Sequence, residues 1–142
     1  MGGVKVFLSE GGFREYTYHQ VGEVVSVNGV TAKIIAKDGV NGGDDYHAGL
    51  PSRSDTSSAY VKLSDEGSHP PEQLKIFENR VQSIDFDWGH SHGDKFPKGV
   101  VHVQDYDKNG NRTGKTRFMN NAEMKKYSPI LRFLSPDVRF RP

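Results

Sequence analysis

IDFDWGHSHGDKFPKGVVHVQDY, residues 84–106, holds two short alternating runs around a glycine-rich break. In the first, Ile84, Phe86 and Trp88 share one side while Asp85 and Asp87 take the other. In the second, Val101 and Val103 share one side, and His102, Gln104 and Tyr106 stand opposite. Paired as an antiparallel hairpin, the runs give an apolar face to a core and leave a polar face of Asp and His open. The stretch carries three of the six histidines, His90, His92 and His102, and the only tryptophan. Because the GHSHG loop stands at one end of the polar face, chemistry is expected here.

The segments that follow extend this hairpin. Asp107–Asn111 reads as a turn, and Arg112–Phe118 as a third paired strand. With Thr116 and Phe118 assigned to the packed face, Lys115 and Arg117 fall on the side of His102; a one-residue slip reverses that assignment. Asn120-Asn121-Ala122-Glu123 has the spacing of a capping box, and Met124, Tyr127, Leu131 and Leu134 recur at helical intervals behind it. Pro129 interrupts the pattern, which predicts a bent helix or two short ones, the second capped by Ser128. Val138 and Phe140 alternate with Arg139 and Arg141 as an edge strand.

On the other side of the hairpin, Ser68–Glu72 reads as a helix start, followed by a stripe of Leu74, Phe77 and Val81. Residues 38–58 form a long irregular loop containing His47, and their acidic cluster lacks the alternating spacing of a calcium loop. The clearest local signal is Asn28-Gly29 between two β-branched runs, the signature of a two-residue type I′ hairpin. Val4–Ser9, Phe13–His19 and Ala59–Leu63 read as further strands.

Composition sets the bounds. At 142 residues, with 34% hydrophobic content, 16 Gly and 7 Pro, the chain suits one turn-rich domain, and its eight Phe and six Tyr supply a core. The expected fold is α+β: an antiparallel sheet of about five or six strands with one or two short helices on one face. Within the single domain 1–142, residues 1–67 form a hairpin-rich part with the long loop, and residues 68–142 carry the chemistry. No apolar run approaches the length of a membrane span, so no membrane partner is expected. The absence of cysteine removes thiol chemistry. Residues 1–97 hold 9 Lys/Arg against 14 Asp/Glu, whereas residues 98–142 hold 10 against 4. A basic C-terminal third fits a polyanionic partner, or an internal attraction to the acidic part.

Three readings of the histidines stand side by side. Cleaving RNA without a cofactor needs a base for the 2′-hydroxyl, an acid for the leaving oxygen and cations on the phosphate. His102, His90 and His92 supply imidazoles for that work, and Asp87 or Asp85 orients one of them. Lys115, Arg117, Gln104 and Tyr106 are the residues expected to bind substrate, with Trp88 assigned to the core. Alternatively, the H-x-H pair His90/His92 binds Zn²⁺ or another divalent transition metal, with His102 or Asp87 as third ligand. In the third reading the chain is a noncatalytic β-rich binding or structural module, and its histidines line a solvated loop.

FPKGVVHVQDYDKNGNRTGKTRFMNNAEMKKYSPILRFLSPDVRFRP, together with the first run of the hairpin, resembles the C-terminal toxin modules of Rhs/YD-repeat polymorphic toxins of Bacteroidetes type over about residues 84–142. The resemblance rests on the V-H-V strand, the basic hairpin and the closing helix, and YDKNGNRT also looks like a YD repeat. It implies a bacterial nuclease delivered into a target cell as part of a larger secreted protein. RNA is then the expected substrate, and a cognate immunity protein the expected partner.

Overall fold

A computed structural model describes residues 4–7, 15–39, 44–46, 49–54, 57–67 and 70–142. Ten strands precede one helix among them: β1 (Val4–Phe7), β2 (Glu15–Gln20), β3 (Val25–Val27), β4 (Val30–Asp38), β5 (Asp44–Asp45), β6 (Ala59–Lys62), β7 (Gln73–Glu78), β8 (Val81–Asp87), β9 (His102–Tyr106), β10 (Arg112–Arg117) and α1 (Asn121–Leu134). The sheet runs β1-β2-β4-β6-β7-β8-β9-β10, with β3 and β5 paired to β4 beside this path. A β-rich sheet with helix on one face is as expected. The strand count exceeds five or six, and the sheet is not wholly antiparallel, because β4 and β6 run parallel with Lys33 opposite Tyr60.

The sheet has two chemically different sides. Val30, Ala32, Val61, Leu74, Ile76, Phe86, Val101 and Val103 meet Tyr127, Ile130, Leu131 and Leu134 of α1 in the main core. A smaller cluster of Tyr18, Ile35, Tyr60 and Phe77 fills part of the opposite side. Beyond it, that side is polar.

Residues 73–81 form strands and a turn in place of the expected helix. Leu74 and Ile76 point to the helix-covered core while Lys75 lies buried opposite, so the segment follows period two. The stripe Leu74, Phe77, Val81 mimics helical spacing because Phe77, next to Ile76 in the alternation, serves the smaller cluster on the opposite side. Asn79 and Arg80, at φ 51° and 70°, make the tight turn into β8. Ser68 and His69 lie outside the described residues, as does His47.

The capping box forms as expected: Asn120 Oδ1 accepts from the Glu123 N–H at 2.8 Å, and a Glu123 carboxylate oxygen accepts from the Asn120 N–H at 2.9 Å. The helix then continues through Pro129 as one element, without a second start at Ser128. Proline leaves the Lys125 carbonyl without its helical donor. Asn28 supplies one, its Nδ2 donating to the Lys125 and Lys126 carbonyls at 3.2 and 3.1 Å. Asn28 and Gly29 sit at φ 54° and 80° between Val27 and Val30, the expected type I′ turn. The tail pairs in parallel with the 99–101 segment, Val101 N–H donating to the Arg139 carbonyl at 2.8 Å.

Gly29→Val should lower stability by about 1 kcal/mol or more in denaturant melts, from backbone strain alone, since open space surrounds that position. Asn28→Gly keeps the turn but removes the bond to the helix, at a cost of about 0.5–1 kcal/mol. That cost should shrink in a Pro129→Ala background, where the new backbone N–H supplies the Lys125 carbonyl. Equal costs in both backgrounds would separate the turn from the helix.

Candidate active site

The β8–β9 register generates the site. Phe86 pairs with Val103 and Asp87 with His102, so one pair enters the core while the other faces the polar side. Beyond this pairing, Trp88 anchors the connecting loop. It is 5% exposed, and its Nε1–H donates to Ser135 Oγ at 3.0 Å, which in turn donates to the Pro71 carbonyl at 2.7 Å. Trp88 is therefore a core residue and takes no part in lining the cleft between His102 and Arg112. Backbone bonds from Gly99 to Trp88 and from His92 to Phe96, at 2.9 and 2.8 Å, fold the loop back over the hairpin end.

A cleft of about 130 Å³ results, lined by Asp85, Asp87, His90, His92, His102, Gln104, Tyr106, Arg112 and Thr116. It brings together Asp87, His90, His92, His102, Gln104 and Tyr106 of the sequence-predicted set. His90 Nδ1 lies 3.1 Å from Asp87 Oδ1, and His102 Nε2 lies 4.0 Å from the same oxygen. The His90 and His102 ring centroids are 5.0 Å apart, and those of His92 and His102 are 5.5 Å apart. One ligand atom from each of the three histidines falls within 4.8 Å of the others. His92 also meets the Thr116 hydroxyl at 3.3 Å.

The electrostatics are those of a partly dry site. Burial pushes the Asp87 carboxyl up to about 7, and the neighbouring Asp85 adds to the shift. Burial, then the proximity of His90 and His92, pushes His102 down to about 4, so its imidazole is neutral at neutral pH. Its Nδ1 is buried without a well-formed hydrogen bond, the Val100 carbonyl offering only a partial offset. Burial raises the Tyr106 phenol to about 12, leaving it a proton donor. Behind the cleft, Lys75 pairs across the strands with Asp85, donates to Gln82 Oε1 at 2.9 Å, and is depressed by burial.

The two cations expected beside His102 are elsewhere. Arg117 pairs with Val103 on the core side, where it donates to Asp105 at 2.7 and 2.8 Å and to Glu123 at 2.8 Å through two nitrogens. It clamps β9 to the start of α1. Lys115 is exposed and outside the cleft lining. The assumed face of β10 is reversed: Arg112 pairs with Tyr106, so Arg112 and Thr116 take the cleft side, while Phe118 packs on Phe96 at 4.7 Å. The signal that locates Arg112 is the turn itself. Asp107 and Asn111 close it at 2.8 Å, which sets Arg112 opposite Tyr106. Lys75 has no signature of its own in the sequence, because its segment reads as a helix and only the pairing with Asp85 places it.

A carboxyl raised on folding favours the native state at low pH and loses that advantage as pH climbs from the unfolded value near 3.8 through about 7. Asp87→Asn removes the buried charge. In chelator-treated protein it should raise stability at pH 8 by on the order of 2–4 kcal/mol. At pH 4 it should change little. Melts at the two pH values check this, and an equal effect at both would show that Asp87 is not held protonated.

No family model matches the chain, and neither a curated protein nor a solved structure matches it significantly.

Proposed function

We propose that this chain is a toxin-like nuclease acting on RNA, with the cleft at the end of β8, β9 and β10 as its active site. One observation carries the reading: Asp87, His90, His92 and His102 converge beside Arg112, the one Lys or Arg in the cleft lining. Phosphodiester cleavage needs an activated oxygen nucleophile, a proton for the leaving oxygen and positive charge at the phosphate. The imidazoles serve the first need, either by taking the proton directly or through a bound ion. Asp87, raised to about 7, holds a proton that can be delivered near neutral pH. Arg112 offers a planar guanidinium to a phosphate oxygen. Outside the cleft, Lys98, Lys108, Lys115, Lys125, Lys126 and Arg132 are exposed and suit a polyanion.

Direct proton transfer by imidazole is the cofactor-free version of this chemistry. The proximity of three imidazole ligand atoms favours the version with an ion. Both versions use the same cleft and the same substrate.

His102→Ala should lower RNA cleavage by about 100-fold or more, and Arg112→Ala by at least about tenfold. Arg117→Ala should instead cost about 2 kcal/mol of stability, because it leaves the buried Glu123 carboxylate without its counter-charge, the Asn120 N–H alone remaining. RNA binding should weaken steeply with added salt. A folded protein that degrades no RNA, or an Arg112→Ala variant with full activity, would remove the reading.

A further inference from the structure

The three imidazoles stand in an arrangement that proton transfer alone does not require. Two of them come from one short loop, spaced by a single residue, and the third from a strand across the hairpin. Their rings crowd to 5.0 and 5.5 Å, where three positive charges would repel one another. His102 is 6% exposed and fixed by its strand, with Phe96 beside it at 5.9 Å. His90 and His92 are exposed and sit between Gly89 and Gly93, the latter at φ 73°.

From these residues we infer that His90, His92 and His102 form a binding site for one divalent transition-metal ion of the zinc class. In a tetrahedral zinc site, bonds of roughly 2.0–2.1 Å place ligand nitrogens about 3.4 Å apart. Here the ligand atoms lie within 4.8 Å of one another before any ion binds. The gap closes by rotation of the two exposed loop side chains toward the fixed His102. Asp87 already stands where metal-bound histidines keep an outer partner, with His90 Nδ1 at 3.1 Å and His102 Nε2 at 4.0 Å from its Oδ1.

The ligand chemistry narrows the ion. Three imidazole nitrogens with no thiolate suit Zn²⁺, Co²⁺ or Ni²⁺, whereas Mg²⁺ and Ca²⁺ demand oxygen donors. Among the described residues, no other group of three His, Asp or Glu side chains converges in this way. Three protein ligands leave a coordination position for an oxygen, the pattern of a catalytic zinc site and not a structural one. Arg112 and Thr116 border the cleft in which that oxygen would stand. The catalytic meaning of the ion rests on the nuclease reading; its binding does not.

The test is titration of the full, chelator-treated chain with Zn²⁺ by calorimetry, and with Co²⁺ by visible absorption. One equivalent should bind saturably, with Mg²⁺ unable to compete. His92→Ala, an exposed position whose loss leaves the fold intact, should weaken Zn²⁺ binding at least about tenfold. Asp87→Asn should weaken it by about 10-fold to 100-fold through the outer contact to His90. The absence of a saturable equivalent, or a His92→Ala protein that binds Zn²⁺ as tightly as the parent, overturns the site. The titrations contain no RNA. A chain that binds Zn²⁺ but cleaves nothing upholds the metal site and removes the nuclease reading, while a chain that cleaves RNA without holding Zn²⁺ does the reverse.

Discussion

The pairing of Asp87 with His102 across β8 and β9 sets the rest of the molecule. Strand side chains alternate, so the same register that sends Phe86 and Val103 into the helix-covered core presents Asp87 and His102 to the cleft. A slip of β9 by one residue against β8 would put Val103 into the cleft and the His102 imidazole into the core. Apolar packing on one face thus holds the polar face in a single alignment. Trp88 extends that hold by one residue, because its bond to Ser135 ties the loop bearing His90 and His92 to the end of α1.

The polar face is costly to keep. Asp85 and Asp87 are both pushed toward their neutral forms by burial, Lys75 is depressed beside them, and the Gln104 Oε1 has no protein partner. None of this assists folding, and buried polar atoms without partners each work against it. The core opposite and the Arg117 clamp between Asp105 and Glu123 offset the expense. Apolar packing under the helix and the buried polar groups of the cleft are thereby divided between the two faces of one sheet.

Much of this was legible in the chain. Period-two alternation in 84–88 and 101–106 gave both the hairpin and its faces, and Asn28-Gly29 and Asn120-x-x-Glu123 named their turn and cap from local chemistry alone. The misreadings share a cause, which is that spacing is ambiguous where pairing decides. Leu74, Phe77 and Val81 fit a helix until the turn at Asn79 and Arg80 folds β8 back on β7 and sends Phe77 to the side opposite Leu74. The face expected for Lys115 and Arg117 requires an uninterrupted β10, and the register instead shifts between Thr113 and Arg117 around Gly114, at φ 67°. Arg112 is set by the local turn at Asp107–Asn111, whereas Lys75 comes to lie behind the cleft only through its pairing with Asp85. The parallel contact of β4 with β6 has no short-range signature at all.

The bond from Asn28 to the carbonyls before Pro129 joins residues 97 and 98 positions apart. It belongs to a helix that follows every described strand along the chain, yet covers the face on which most of them pack. Until that helix docks, Phe86, Val101 and Val103 have no lid, and the loop that must close to bring it home is among the longest the chain can form. Proteins dominated by such distant contacts fold slowly, and their half-built sheets expose sticky edges and faces while they wait. The amide of Asn28 thereby ties the β3–β4 turn to the far end of the chain, and the helix it holds is the one that closes the sheet's apolar face.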